Sequence, residues 1–146
     1  MAHKQFKQGV FKPVNAKKYI GDKLPQYRSG LEMRFMQFCD KNPNVLKWGS
    51  ENVIVPYKSP LDDKMHRYFI DNVVIIKEGE VIKKYLVEIK PESQTREPST
   101  HGRKKRSTIL YEQATWAVNQ AKWTAARKHA KDIGFEFMII TDKDIP

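Results

Sequence analysis

A chain of 146 residues predicts a single domain. Lys and Arg number 27 against 17 Asp and Glu, a net charge of +10, and 40% hydrophobic with 11% aromatic residues exclude a disordered basic tail. No apolar run approaches the ~18 residues of a membrane span, the opening MAHKQFKQGV lacks a signal-type apolar stretch, and the lone Cys39 excludes an internal disulfide or a CxxC zinc site. The expected chain is soluble, reduced and drawn to polyanions, nucleic acid first among them.

Residues 1–28 carry Lys4, Lys7, Lys12, Lys17, Lys18, Lys23 and Arg28 against Asp22 alone, with Phe6, Phe11, Tyr19 and Tyr27 interleaved. This composition predicts an extended basic arm whose aromatics tack it to a surface, ahead of a domain over 29–146. Ser29-Gly30-Leu31-Glu32 opens a helix with Leu31, Phe35, Phe38 and Cys39 at helical spacing, ending near Asn42-Pro43. Asn52 to Tyr57 predicts a short strand, and Ser59 to Lys64 a turn. Arg67 to Ile76, apolar on both faces, predicts one central strand, and Val81 to Lys90 the next, joined across Glu78-Gly79-Glu80. Pro91 to Ser107 reads as a mobile loop (91–107 with its basic run Arg103-Lys104-Lys105-Arg106). A long helix from Ser107 to Ile133 follows, with Leu110, Ala114, Ala117, Val118, Ala121 and Ala125 as its packing stripe and Gly134 past its end. Phe135 to Thr141 is the last strand. The expected fold is α/β, a mixed four-stranded sheet flanked by helices in the order α-β-β-β-α-β.

The central hairpin carries the chemistry. A Gly79-Glu80 loop, the Gly-X pair of a type II′ turn, sets Asp71 opposite Glu88; a Glu78-Gly79 loop sets it opposite Leu86, two residues away. Side chains alternate with period 2, so either register puts Asp71, Glu88 and Lys90 on one face, in a patch roughly 5–8 Å across. A three-residue loop or a bulge would separate them. Facing carboxylates repel, and a hard divalent cation, Mg²⁺ or Mn²⁺, removes the conflict by taking carboxylate oxygens and a substrate phosphate. Lys90 beside them could stabilise charge on a phosphate or help deprotonate an attacking water. Glu32 fits the S-x-x-E capping box as well as it fits an acidic group reaching the same site from the first helix. Ile109, Gln113, Trp116, Gln120, Trp123 and Arg127 form a second stripe on the long helix, from which Gln120 and Lys122 could meet DNA. The four histidines share no ligand spacing, and no phosphate-binding GxxxxGK[ST] loop occurs.

The stretches RSGLE (28–32), VLKWGSE (45–51), RYFID (67–71) and LVEIK (86–90) together resemble a PD-(D/E)XK nuclease of the TnsA-like branch. Within that branch the chain is similar to the small head completion nucleases of T-even-like phages, over roughly Lys12 to Asp144. The resemblance implies a restriction-endonuclease-like core, Asp71 and Glu88 as metal ligands with the Ile89 carbonyl, Lys90 as catalytic lysine and Glu32 as the acid from the first helix. Ile70 stands where the superfamily's name has Pro.

The expected activity is Mg²⁺- or Mn²⁺-dependent hydrolysis of DNA phosphodiesters, in the completion of a phage head after DNA packaging. DNA contacts are expected from Arg28, Arg67, Arg103, Lys104, Lys105, Arg106, Gln120 and Lys122. Capsid or portal proteins are the further expected partners, with the host cytoplasm or the virion as location. The competing readings are a non-catalytic DNA-binding or head-joining protein on the same fold, and a ribosomal-type RNA-binding module. Carboxylates beside a phosphate-binding surface argue against the first, and the lack of an RNP-like strand or GXXG loop against the second.

Overall fold

The computed structural model describes residues 8–145. Three short strands come first: β1 (Gly9–Val10), β2 (Tyr19–Ile20) and β3 (Gln26–Tyr27). Helix α1 (Gly30–Lys41) leads to β4 (Val45–Ser50), and a hairpin follows, β5 (Ile54–Lys58) with β6 (Met65–Phe69). Then come β7 (Asn72–Glu78), β8 (Val81–Ile89), a 3-10 turn over Glu92–Thr95, α2 (Arg106–Asp132) and β9 (Glu136–Ile140).

The main sheet has the order β2-β4-β7-β8-β9. β4, β7 and β8 run antiparallel, whereas β8 and β9 pair in parallel, as a helical crossover through α2 requires. Val74, Val87 and Ile89 pack with Phe35, Met36 and Cys39 of α1. Their neighbours Val73 and Leu86 point the opposite way and pack with Trp123, Ala126 and Ala130 of α2. Period-2 alternation therefore places the two helices on opposite faces of a mixed sheet.

Two strand expectations need correction. The main sheet has five strands instead of four, β2 joining its edge, and the strand beside β7 is β4, not Asn52 to Tyr57; the latter region lies in β5, which pairs only with β6 in a separate ribbon. Nor is Arg67 to Ile76 one central strand. The chain changes partner at Ile70–Asp71: Ile70 N–H still donates to the Val53 carbonyl at 3.0 Å, while the Asp71 carbonyl already accepts from Glu51 N–H at 3.0 Å. The tight passage out of β4, with Glu51 at φ 54°, makes room for this switch. The β7–β8 turn keeps the Gly79-Glu80 loop, with Glu78 facing Val81 and Gly79 at φ 63°. A further correction concerns α2. Its packing face is centred on Asn119, Trp123, Ala126 and Ala130; of the expected stripe Val118, Ala121 and Ala125 pack against that core half-buried, whereas Leu110 is exposed.

Of the basic N-terminal stretch, Lys4, Phe6 and Lys7 lie outside the described residues. Beyond them Phe11 and Tyr19 meet the Trp48 ring edge-on at 5.8 and 5.0 Å. Buried Asp40, near the end of α1, accepts the Val14 and Asn15 amides at 2.9 and 3.0 Å. From position 8 onward this stretch is anchored by a buried carboxylate as well as by its aromatics.

Candidate active site

Glu88 and Ile89 end β8, Lys90 follows, and Asp71 stands immediately before β7. Asn72 pairs with Val87, so the next position sets Asp71 against Glu88, on the side of the sheet that α2 covers. Asp71 Oδ2 accepts the Ile89 amide at 2.8 Å. Glu88 is buried; its Oε1 accepts a hydrogen bond from the Tyr68 hydroxyl, and its Oε2 lies 3.6 Å from Lys90 Nζ. Lys122 Nζ, on α2, sits 5.5 Å from the Tyr68 ring centre and 5.8 Å from that of Tyr57. The hairpin, two strand ends and α2 thus converge on one buried carboxylate.

Burial pushes both acids above the ordinary carboxylate range. For Asp71 the Glu88 charge adds to burial and Glu32 adds a smaller push, with the Ile89 amide and Lys90 pulling the other way. Burial of Glu88 is opposed by the Tyr68 hydroxyl and by Lys90 and Lys122. Desolvation and the Glu88 charge drive the Tyr68 proton affinity far upward, which keeps the phenol a donor. A carboxylate pair that would rather hold a proton is a pair short of positive charge, and a hard cation supplies it. The donor set suits one: Asp71 Oδ1 and Glu88 Oε2 are the oxygens not held by the Ile89 amide or Tyr68. Among the described residues no group of three His, Cys, Asp or Glu side chains forms a ready metal cluster. Asp71 and Glu88 are the side chains here that could hold an ion, with the Ile89 carbonyl as the further ligand that the resemblance implies and substrate and water filling the remaining positions.

Glu32 takes up the capping arrangement. Ser29 Oγ accepts the Glu32 amide and donates to Glu32 Oε1, both at 3.1 Å. Its charge is nonetheless felt at Asp71. Arg28 pairs with Glu51 at 3.3 Å, and Arg67 lies over the Phe69 ring at 5.3 Å. Gln120 is half-buried on α2. Arg103, Lys104 and Lys105 precede α2, which starts at Arg106, and Lys104 is held by Glu112 at 2.7 Å. Those four basic residues are not brought onto the carboxylates.

Sequence reading missed Tyr68 and Tyr57. In an unbroken strand, period 2 would put Tyr68 on the face opposite Asp71; the partner switch at Ile70–Asp71 brings both to one side. The break has a sequence correlate in Asp71-Asn72, two poor strand formers inside an apolar run. The switch also accounts for Ile70. It is 1% exposed in the core and its N–H is used, so proline there would forfeit a buried hydrogen bond.

Residues 42–142 match the family model described as TnsA-like endonuclease N terminal. The chain belongs to the TnsA-like endonuclease family. This TnsA-like chain is also 38% identical over 141 residues to the head completion nuclease of Enterobacteria phage T4, an alignment spanning 92% of this chain and 90% of that protein. Asp71, Glu88, Ile89 and Lys90 fall inside the segment matched by the family model, whereas Arg28 and Glu32 precede it. Among the described residues no helix is long and apolar enough to cross a membrane.

Proposed function

We propose that this chain is a divalent-metal-dependent endonuclease that hydrolyses DNA phosphodiester bonds, and that it acts in completing a phage head. The observation that carries the reading is the pairing of Asp71 with buried Glu88, both raised in proton affinity, with Lys90 Nζ 3.6 Å from the Glu88 carboxylate. A structural ion pair needs only one acid, and a second beside it is unfavourable unless a cation is shared.

Asp71 and Glu88, with the Ile89 carbonyl, would hold Mg²⁺ or Mn²⁺, and an ion held there would supply Lewis-acid polarisation of the scissile phosphate and a more acidic bound water. Tyr68 fixes Glu88 by occupying Oε1, which leaves Oε2 turned to Lys90. Lys90 donates to a phosphate oxygen as negative charge builds there. Lys122, Gln120 and Arg67 contribute positive charge or hydrogen bonds along the DNA backbone, and Arg28 and the run Arg103 to Arg106 extend that surface. The head-completion role rests on the T4 relative's name and on the extent of the alignment, and it implies capsid or portal proteins as partners.

The purified full chain should nick supercoiled DNA with Mn²⁺ or Mg²⁺ and not in EDTA. Asp71→Ala and Glu88→Ala should each lower cleavage at least about 100-fold, the scale of losing an essential charge stabiliser, while DNA binding persists. Equal cleavage by parent and variants, or cleavage in EDTA, overturns the reading. The biological role is tested by complementation: the parent, and not Glu88→Ala, should restore a phage that lacks its head completion nuclease.

A further inference from the structure

Between the segment that follows Lys90 and helix α2 lies a cavity of about 250 Å³. One wall is the segment that leaves β8, contributing Ser93, Gln94 and Arg96; the other is one stripe of α2, with Tyr111, Thr115, Trp116 and Asn119. Ser93 comes three residues after Lys90, and Trp116 meets Trp123, the neighbour of Lys122, edge-on at 6.2 Å. Its two walls thus adjoin, along the chain, the elements that carry Lys90 and Lys122.

Its lining is unusual for a structural gap. Asn119 is only 6% exposed, lines the cavity, and its side-chain amide makes no hydrogen bond to protein among the described residues. The buried side-chain atoms left without a partner among the described residues are Trp48 Nε1, Asn72 Oδ1 and Trp123 Nε1, so the Asn119 amide is open to the solvent of the cavity, and a ligand edge that displaces water there must offer both a donor and an acceptor. Tyr111, by contrast, is 73% exposed at the rim, an aromatic face with nothing packed on it. An apolar cavity of about 150 Å³ is enough for benzene, so this one has room for a single planar heterocycle. Glu112 also lines it, and Glu112 and Arg96 are each already in an ion pair, with Lys104 at 2.7 Å and with Glu92 at 3.3 Å, so the lining offers acceptor and donor groups without an unpaired charge.

We infer that this cavity binds one nucleobase of the DNA substrate, taken out of the base stack next to the cleavage site. Trp116 and Tyr111 supply stacking surface, and the Asn119 amide pairs with the donor and acceptor edge of the base. The inference rests on DNA being the substrate of the neighbouring carboxylates and adds what that substrate must present: a base free to leave its helix.

The test uses the full chain in EDTA, so that binding is read without cleavage. Three duplexes are compared: fully paired, with one unpaired adenosine, and with one unpaired abasic nucleotide. The parent should bind the unpaired adenosine about 10-fold more tightly than the abasic site, the order of one base–aromatic stack. Tyr111→Ala, at an exposed position, and Asn119→Ala should each reduce that preference several-fold without altering affinity for the paired duplex. A 2-aminopurine in the unpaired position should be quenched by the parent and less so by Tyr111→Ala. Equal affinity of the parent for the adenosine and abasic duplexes, or a preference unchanged in both variants, overturns the inference. Failure here with metal-dependent cleavage intact leaves the nuclease standing; base preference without any cleavage does the reverse.

Discussion

Asp71 and Glu88 illustrate how two residues can work against folding in the service of a ligand. Each binds a proton more readily in the folded chain than an ordinary exposed carboxylate does. A raised folded pKa contributes stability that is complete below the unfolded value and is lost as pH rises through the folded one. Without metal, the pair should thus cost stability progressively as pH rises above about 4. Asp71→Asn keeps an acceptor for the Ile89 amide but removes the charge. In EDTA at pH 7.5 it should melt higher than the parent by a few degrees, on the order of 3 °C per kcal/mol for a chain this size, and the gap should close below pH 4. Mn²⁺ should raise the parent's melting temperature and not the variant's. An Asn variant that melts lower at pH 7.5 would refute this electrostatic account. Lys90→Ala should separate two roles. It should lose cleavage by about 100-fold yet keep the Mn²⁺-induced thermal shift, because Lys90 is not a ligand; loss of the shift would place Lys90 in metal binding after all.

At the scale of elements, the anchor of the N-terminal stretch makes a further expectation. Asp40 lies near the C-terminus of α1, where the helix dipole disfavours a carboxylate; its burial is repaid by the Val14 and Asn15 amides. Asp40→Ala leaves two amides without acceptors and should cost about 2 kcal/mol, read as a melting temperature lower by roughly 6 °C. Cleavage at permissive temperature should be unaffected, since this anchor lies on the α1 face, away from Glu88. An unchanged melting temperature would mean that water serves those amides equally well. The same residue marks what sequence reading could and could not reach. Periodicity located both helices and β8, and turn chemistry at Gly79 narrowed the hairpin to two registers that both put Asp71 and Glu88 on one face, the Gly79-Glu80 loop being the one adopted, because these signals are local. Asp40 escapes such signals, because its partners lie some 25 residues away and no local pattern names them. β4 was missed because Val45–Ser50 carries Lys47, Gly49 and Ser50, and what makes it a strand is the Trp48 ring buried between α1 and the N-terminal aromatics. The partner switch at Ile70–Asp71 likewise depends on which strand lies alongside, and with it went Tyr68.

For the molecule as a whole, charge and chemistry are set apart. The acids lie where β8 ends, while Arg103, Lys104, Lys105 and Arg106 stand in the loop before α2 and at its first residue. Phosphate contacts release counterions, so log K for duplex DNA should fall with log salt by about 0.9 per phosphate neutralised. Lys104 is already held by Glu112 at 2.7 Å and by the Ser99 carbonyl at 3.1 Å, which lowers its expected share. Changing all four residues to Ala should therefore flatten the slope by roughly two to three units, with Arg103, Lys105 and Arg106 providing the difference. Changing Lys104 alone should flatten it by less than one. Cleavage at low salt and saturating protein should stay near the parent level, because Asp71, Glu88 and Lys90 keep their contacts. If the slope is unchanged in the quadruple variant, these residues serve solubility or a protein partner, and the DNA track must instead follow Arg67 and Lys122 past the hairpin.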